Sequence, residues 1–407
     1  MAMMKSSNTE WLGDIPAEWD VAQIGNYYEL RNEKVSDYDF EPLSVTMKGI
    51  VTQLATAAKS DDHSNRKLVK KGDFVINSRS DRRGSCGISP LDGSVSLINI
   101  VMEPRGEMNP QYYNWLFHTE QFADEFYKWG HGIVDDLWTT RWQEMKKILI
   151  LAPSPDEQQA IADYLDKTCS KIDEIIAEAK ASIDEYEKLK QATIDENILG
   201  YDSVHIKLRQ LGSLKNGLNF SHSDDVANIK FLGVGCFKDN MILSEVDDFA
   251  DEHIDFEISE EYLLSNGDIV FVRSNGSKEL VGRSIMVENI DYPVTFSGFC
   301  IRFRNMHTEL VDNRFLLYYF RTTHFKQSLL KYSNDSTNIN NLNQEMLNAI
   351  RINAPVIAEQ KLLVKKMEDQ IFVFDSLITE KESLINDLEA YKKSLIYEVV
   401  TGKRRVV

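Results

Sequence analysis

The sequence predicts an α+β protein built twice: two globular domains in tandem, each followed by a long helix, with the two helices packing on each other. Two observations carry this expectation. Ala152-Pro153 with Glu157-Gln158, followed by a charged heptad stretch ending at Gly200, returns about 202 residues later as Ala354-Pro355, Glu359-Gln360 and a stretch ending at Gly402. The segments ahead of these stretches also echo each other: KKGDFVINSRS (Lys70 to Ser80) parallels SNGDIVFVRSN (Ser265 to Asn275) as a turn Gly-Asp, a short apolar strand and an Arg-Ser pair leaving it.

The first globular domain is expected over residues 1–153, the first coil helix over 154–200, the second domain over 201–355 and the second helix over 356–407. In the globules, FVINS, VSLINIVME, IVFVR and FCIRFR alternate as strands do. NPQYYNWLFHTEQFADEFYKW and DNRFLLYYFRTTHFKQSLLKY have helical spacing, and their aromatic residues (Tyr112, Tyr113, Trp115, Phe117; Phe315, Tyr318, Tyr319, Phe320) are assigned to the core. Each is followed by a polar loop, a short helix with Gln-Glu-Met, a β run and the Ala-Pro. Between Val35 and Leu68 little matches Asp224 to Leu264, so loops diverge on a common frame.

In the long helices, Ile172, Ile175, Ala179, Tyr186 and Leu189 align with Phe374, Leu377, Lys381, Leu388 and Tyr391 of the second copy, and Leu384 and Leu395 continue the series. Their alternating 3 and 4 spacing draws one apolar seam along each helix. A lone amphipathic helix is marginal in water, so the two seams are expected to face each other. A helix of roughly 30–35 residues would be about 45–50 Å long, between one and one and a half turns of B-DNA.

At 407 residues and 43% hydrophobic content the chain can bury real cores. Four isolated cysteines, no apolar run of membrane-span length and no signal-peptide core in the first residues point to a reduced, cytoplasmic protein without a membrane partner. The net charge of −18 opposes phosphate binding at first sight, but it is unevenly spread. Acid concentrates in the first long helix and from Asp239 to Glu261, whereas Arg66, Lys67, Lys70, Lys71, Arg79, Arg82 and Arg83 form a basic stretch.

Catalytic patterns are near misses. Gly276 to Ser284 has one residue too many for a phosphate-cradling loop and Arg283 where its lysine belongs. Asn109-Pro110-Gln111-Tyr112 falls one proline short of an amino-methyltransferase clamp and fits a turn opening a helix. Glu178 and Lys180 point to different faces of a helix and cannot converge on a metal. No catalytic, cofactor-binding or metal-binding residue is assigned. Binding signals are stronger. Arg79, Ser80, Arg82 and Arg83 share a Gly/Ser loop, with Lys48 in the SVTMKGIVTQ hairpin and Arg141 in the polar loop from Gly130 to Trp142. The second copy offers Arg273, Ser274, Asn275 and Lys278, then Thr337, Asn338 and Asn341 in the loop from Ser333 to Asn343. These are the candidate DNA-binding residues.

With the repeated Ala-Pro…Glu-Gln entry, heptad helix and final Gly, and with the opening IPAEWDVAQIGNYYELRN (Ile15 to Asn32), the chain resembles the specificity subunits of type I restriction-modification enzymes. The second opening, SVHIKLRQLGSL, lacks the tryptophan of the first. The resemblance implies a non-catalytic subunit of a phage-defence complex that reads a bipartite, asymmetric double-stranded DNA target with a non-specific spacer. It further implies two methyltransferase subunits using S-adenosylmethionine, and two restriction subunits using ATP and Mg²⁺, as partners. It implies too that the two globules are target recognition domains and that the helices form an antiparallel coiled coil of pseudo-two-fold symmetry. From its length the coil is expected to act as a ruler, and the basic loop predicts that Arg82→Ala and Arg83→Ala weaken DNA binding and lower its salt slope. A specificity partner of a type IIB-like system, or a protein-binding coil adaptor, are the alternatives.

Overall fold

The computed structural model describes residues 3–56, 63–132, 138–199, 204–219, 226–238, 240–274, 280–331 and 341–406. It mixes helix and sheet and divides into two compact units, Met1–Lys180 with Glu382–Val407, and Ala181–Lys381. Each unit therefore contains one globule and a stretch of both long helices, Pro155–Leu199 and Ile357–Val400.

In the first unit a four-stranded antiparallel sheet has the order Cys86–Ile88, Phe74–Asn77, Asn99–Pro104, Tyr28–Leu30. A second sheet joins Gly93–Ser96, Arg66–Val69 and Lys34–Val35. The second unit repeats the plan with Gly212–Asn216, Cys300–Asn305, Ile269–Val272, Ser284–Val287 and Ile242–Leu243, backed by Ala250–Glu252, Ile229–Leu232 and Val294–Phe296. The central registers correspond. Phe74 lies opposite Met102 and Asn77 opposite Asn99, as Ile269 lies opposite Phe303 and Val272 opposite Cys300. Val75, Val101 and Val95 fill one face of the first frame, and Val270, Val272, Ile285 and Val294 fill that of the second.

The Gly-Asp turn that opens each central strand has a physical cause. Gly72 and Gly267 have φ of 94° and 88°, which only glycine adopts without strain. Asp73 and Asp268 are buried, and each closes the turn by accepting a backbone N–H, from Lys70 and Ser265 respectively, at 2.8 Å. A buried carboxylate needs a cation. Arg31 supplies it to Asp73 at 2.7 Å, and Arg304 supplies it to Asp268 at 2.7 Å. The cation comes from a different strand in each unit, yet the joint is the same.

The repeated glutamine is a second joint. Gln158 is buried; its amide donates to the Pro153 carbonyl at 2.8 Å and accepts from the Asn109 N–H at 2.8 Å. Gln360 does the same with Pro355 at 2.7 Å and Asp312 at 2.9 Å. Asn109 and Asp312 cap the aromatic helices Pro110–Phe117 and Asn313–Tyr319. One side chain thus ties the start of each long helix to its globule, and the Ala-Pro…Glu-Gln spelling is the record of that joint. The aromatic residues assigned to the core are buried there, except Trp115, which is half-buried with its indole N–H on Asp166 at 2.7 Å.

The long helices run for 45 and 44 residues within the expected 154–200 and 356–407 spans, more than the roughly 30–35 residues taken for the coil length. Their ends are built into the globules. In the first unit Tyr112 donates to the Val400 carbonyl at 2.9 Å, Tyr397 donates to that of Trp11 at 3.2 Å, and Arg405 pairs with Glu18 at 2.6 Å. In the second, Asp195 accepts the N–H of Thr323 at 2.8 Å, and Ile194, Ile198, Val364, Met367 and Ile371 join the globule's core. Between the helices, Asp173 pairs with Lys392 in the first unit and Lys190 with Asp375 in the second.

The seam expected from spacing is corrected at alternate positions. Ile172, Ala179 and Leu395 are buried, and Tyr186, Phe374, Leu377 and Leu388 are half-buried. Ile175, Leu189, Leu384 and Tyr391 are exposed, while Ile176, Ile378 and Ile385 are buried. The seam advances from Ile172 by 4 then 3 rather than 3 then 4, a choice left open wherever two apolar residues stand side by side.

Candidate nucleic-acid interface

The central strand of each unit runs out into a loop held by backbone bonds. In the first unit, Thr140 N–H donates to the Ser78 carbonyl and Ser80 N–H to that of Trp138, both at 3.0 Å. Segment 78–80 therefore lies beside 138–140, and Arg141 follows at once as the residue preceding the short helix Trp142–Met145. This brings Arg79, Ser80 and Arg141 together, with both arginines exposed. A 3₁₀ turn, Ser80–Arg82, leaves the Arg82 side chain 68% exposed, 3.6 Å from Asp81. Met47, beside Lys48 at the hairpin tip, reaches the same loop at Gly84.

One part of the expected basic face is corrected. Arg83, 52% exposed, stays on the surface while forming an ion pair with Asp124 of the helix Glu120–Lys128. Arg66 is buried on Ser94 at 2.8 Å, Lys67 donates to the Asn99 carbonyl at 2.6 Å, and Lys70 pairs with Asp92 at 3.3 Å. Burial lowers the pKa of both Arg66 and Lys67. Arg66 joins two strands of the second sheet and Lys67 ties that sheet to the first, so the outward basic group is Lys48, Arg79, Arg82, Arg83 and Arg141, with Lys71 exposed beyond it.

The second unit uses the same backbone device. Leu342 N–H donates to the Arg273 carbonyl at 2.8 Å, which brings Asn341 beside the Arg273-Ser274 segment. The Arg273 guanidinium donates to the Gly298 carbonyl at 3.2 Å, and its N–H donates to Phe299 at 2.7 Å. Registered from the Gly-Asp turns, Arg273 takes the place of Ser78, and Ser274 that of Arg79. The paired Arg-Ser spellings are thus one residue out of step, and a one-residue shift turns a side chain to the other face of a strand. That is why Arg79 is exposed and Arg273 half-buried. Asn275, Lys278, Thr337 and Asn338 lie outside the described residues.

Three residues escaped the sequence reading. Trp138, 37% exposed, and Phe299, 59% exposed, each offer their carbonyl to the loop in their unit. Arg321 donates to the Ser284 carbonyl at 2.8 Å, where His118 meets the Cys86 carbonyl at 3.1 Å in the first unit. Burial, with the neighbouring Arg283 charge adding to it, lowers the Arg321 pKa to about 10. A lone aromatic or arginine carries no periodic signal, so only the fold picks these out. Among the described residues, no group of three or more His, Cys, Asp or Glu is placed to hold a metal, and no helix is long and apolar enough to cross a membrane.

The family model for the type I restriction modification DNA specificity domain matches residues 202–390. The type I restriction enzyme MjaVIII specificity subunit of Methanocaldococcus jannaschii is 25% identical over 428 aligned positions, covering 96% of this chain and 94% of that protein. The chain is similar to the type I restriction-modification specificity subunits. The StySPI specificity subunit of Salmonella potsdam is 22% identical over 63% of this chain and 58% of its own. A solved structure described as the basis of complex assembly and conformational transition of the type I R-M system shares the fold at a TM-score of 0.75, with 13% identity, over 96% of this chain and 99% of its own. The HsdS subunit from Thermoanaerobacter tengcongensis gives a TM-score of 0.55 at 14% identity, over 96% and 98%.

Proposed function

We propose that this chain reads double-stranded DNA for a type I restriction-modification complex and itself performs no chemistry. The observation that carries the reading is the duplicated loop: one backbone device presents Arg79, Ser80, Arg82 and Arg141 in one unit and Arg273, Ser274 and Asn341 in the other. Equal scaffolds with unequal side chains suit a target of two different half-sites. Arginine pairs with guanine edges or phosphates, and Asn with adenine, so the two loops ask different questions of the duplex.

In this proposal the long helices form an antiparallel coiled coil that acts as a ruler, and the untouched base pairs between half-sites are the spacer. Two methyltransferase subunits bring S-adenosylmethionine, and two restriction subunits bring ATP and Mg²⁺, in the cytoplasm. The acidic balance of −18 fits a subunit whose phosphate contacts are completed by its partners.

The test is co-expression with a type I methyltransferase subunit, followed by sequencing of methylated bases in the host DNA. The expected result is one asymmetric, two-part motif with a constant gap. Absence of both a methylated motif and a DNA mobility shift by the assembled complex would favour a protein-binding adaptor instead.

A further inference from the structure

The two ion pairs between the long helices are related by the internal repeat. Asp173 and Asp375 are repeat equivalents, as are Lys190 and Lys392, and each lysine meets the aspartate of the other helix. Lys392 holds both carboxylate oxygens of Asp173, at 2.6 and 2.7 Å, and Lys190 holds Asp375 at 2.5 Å. The lysines are the covered members, with side chains 25% and 24% exposed, against 59% for Asp173 and 50% for Asp375. Each lysine also falls on the corrected seam, four residues beyond half-buried Tyr186 or Leu388. A charge on a coiled-coil seam costs stability and is a known device for choosing register.

The pattern discriminates among pairings. A parallel, in-register arrangement would set Asp173 on Asp375 and Lys190 on Lys392. Sliding one helix by a heptad in one sense brings Lys392 opposite Lys180. Sliding it the other way offers the lysines Asp166 and Glu368, but Asp166 is bonded to Gln111 and Trp115, and Glu368 to Arg314 and Tyr318. The observed pairing alone satisfies both lysines without drawing a carboxylate from a globule.

We propose that Asp173, Lys190, Asp375 and Lys392 are positioning residues that lock the helix pair into one antiparallel register, and thereby set the spacer that the proposed DNA reading measures. This rests on that reading only for its consequence; the lock itself is tested without DNA. Spin labels at exposed Glu187→Cys and Glu380→Cys report the register in the full chain, whose four native cysteines are buried. The parent should give one narrow distance. Lys190→Met with Lys392→Met removes the charges while keeping the seam apolar, and should add a population displaced by one heptad, about 10 Å along the axis. Lys190→Asp with Lys392→Asp should broaden the distance or unfold the pair. Adding Asp173→Lys and Asp375→Lys to that variant, which reverses both pairs, should restore the parent distance. A single unchanged distance in the methionine variant, or no recovery in the fourfold variant, overturns the lock. Loss of DNA recognition with these distances intact would count against the functional reading instead.

Discussion

At the residue scale, two kinds of polar side chain behave in opposite ways. Gln158 and Gln360 are buried and fully used, and their worth is structural. Gln360→Ala leaves the Asp312 N–H and the Pro355 and Leu310 carbonyls without their partner, so the expected loss is about 2 kcal/mol, read as a lower denaturant midpoint. Arg79, Arg82 and Arg83 are all exposed, with Arg82 3.6 Å from Asp81 and Arg83 in direct contact with Asp124. Arg79→Ala and Arg82→Ala should each weaken DNA binding by the complex and lower its salt slope by about one, while Arg83→Ala should change the slope less. Equal slopes for all three in a salt titration would remove the loop from the interface. Composition showed seven basic residues in one stretch but could not tell these fates apart. Whether a cation meets a carboxylate or water depends on residues distant in sequence, such as Asp124 for Arg83 and Ser94 for Arg66.

At the element scale, the long helices and the Gly-Asp turns were legible because their signals are local: heptad spacing, a proline before the start, a glycine after the end. Gly402 shows how strict the end is. Its φ is 70°, and an added Cβ would lie 2.5 Å from Pro16 Cγ and 2.9 Å from the Trp19 ring. Gly402→Ala should therefore cost about 1–3 kcal/mol through backbone strain and lost docking on Trp19, seen as a lower melting temperature. The seam was legible only by half. Ile175 beside Ile176, Leu377 beside Ile378 and Leu384 beside Ile385 allow two phasings, and the helix facing them selects one.

At the scale of the whole molecule, the charge pattern and the repeat acquire a joint meaning. Acid on the first long helix and a shared Asp–Lys pattern on both helices make one pairing preferable to its competitors. Under the proposed ruler, inserting one heptad into each helix at matching positions adds about 10 Å, or roughly three base pairs, to the spacer. The measurement is the gap in the methylated motif. An unchanged gap with an intact half-site sequence would show that spacing is set elsewhere.

The chain by itself determined that it is built twice, where its long helices begin and end, and which aromatic residues form its cores, because repetition, heptad periodicity and terminal Pro and Gly are written in neighbouring residues. Tertiary structure alone decided that Arg66 is buried while Arg79 faces outward, that Arg273 docks on the Gly298 carbonyl, and which of two adjacent apolar residues enters the seam. Each of those outcomes is fixed by a partner far along the chain, and a partner's distance is not encoded in local spacing.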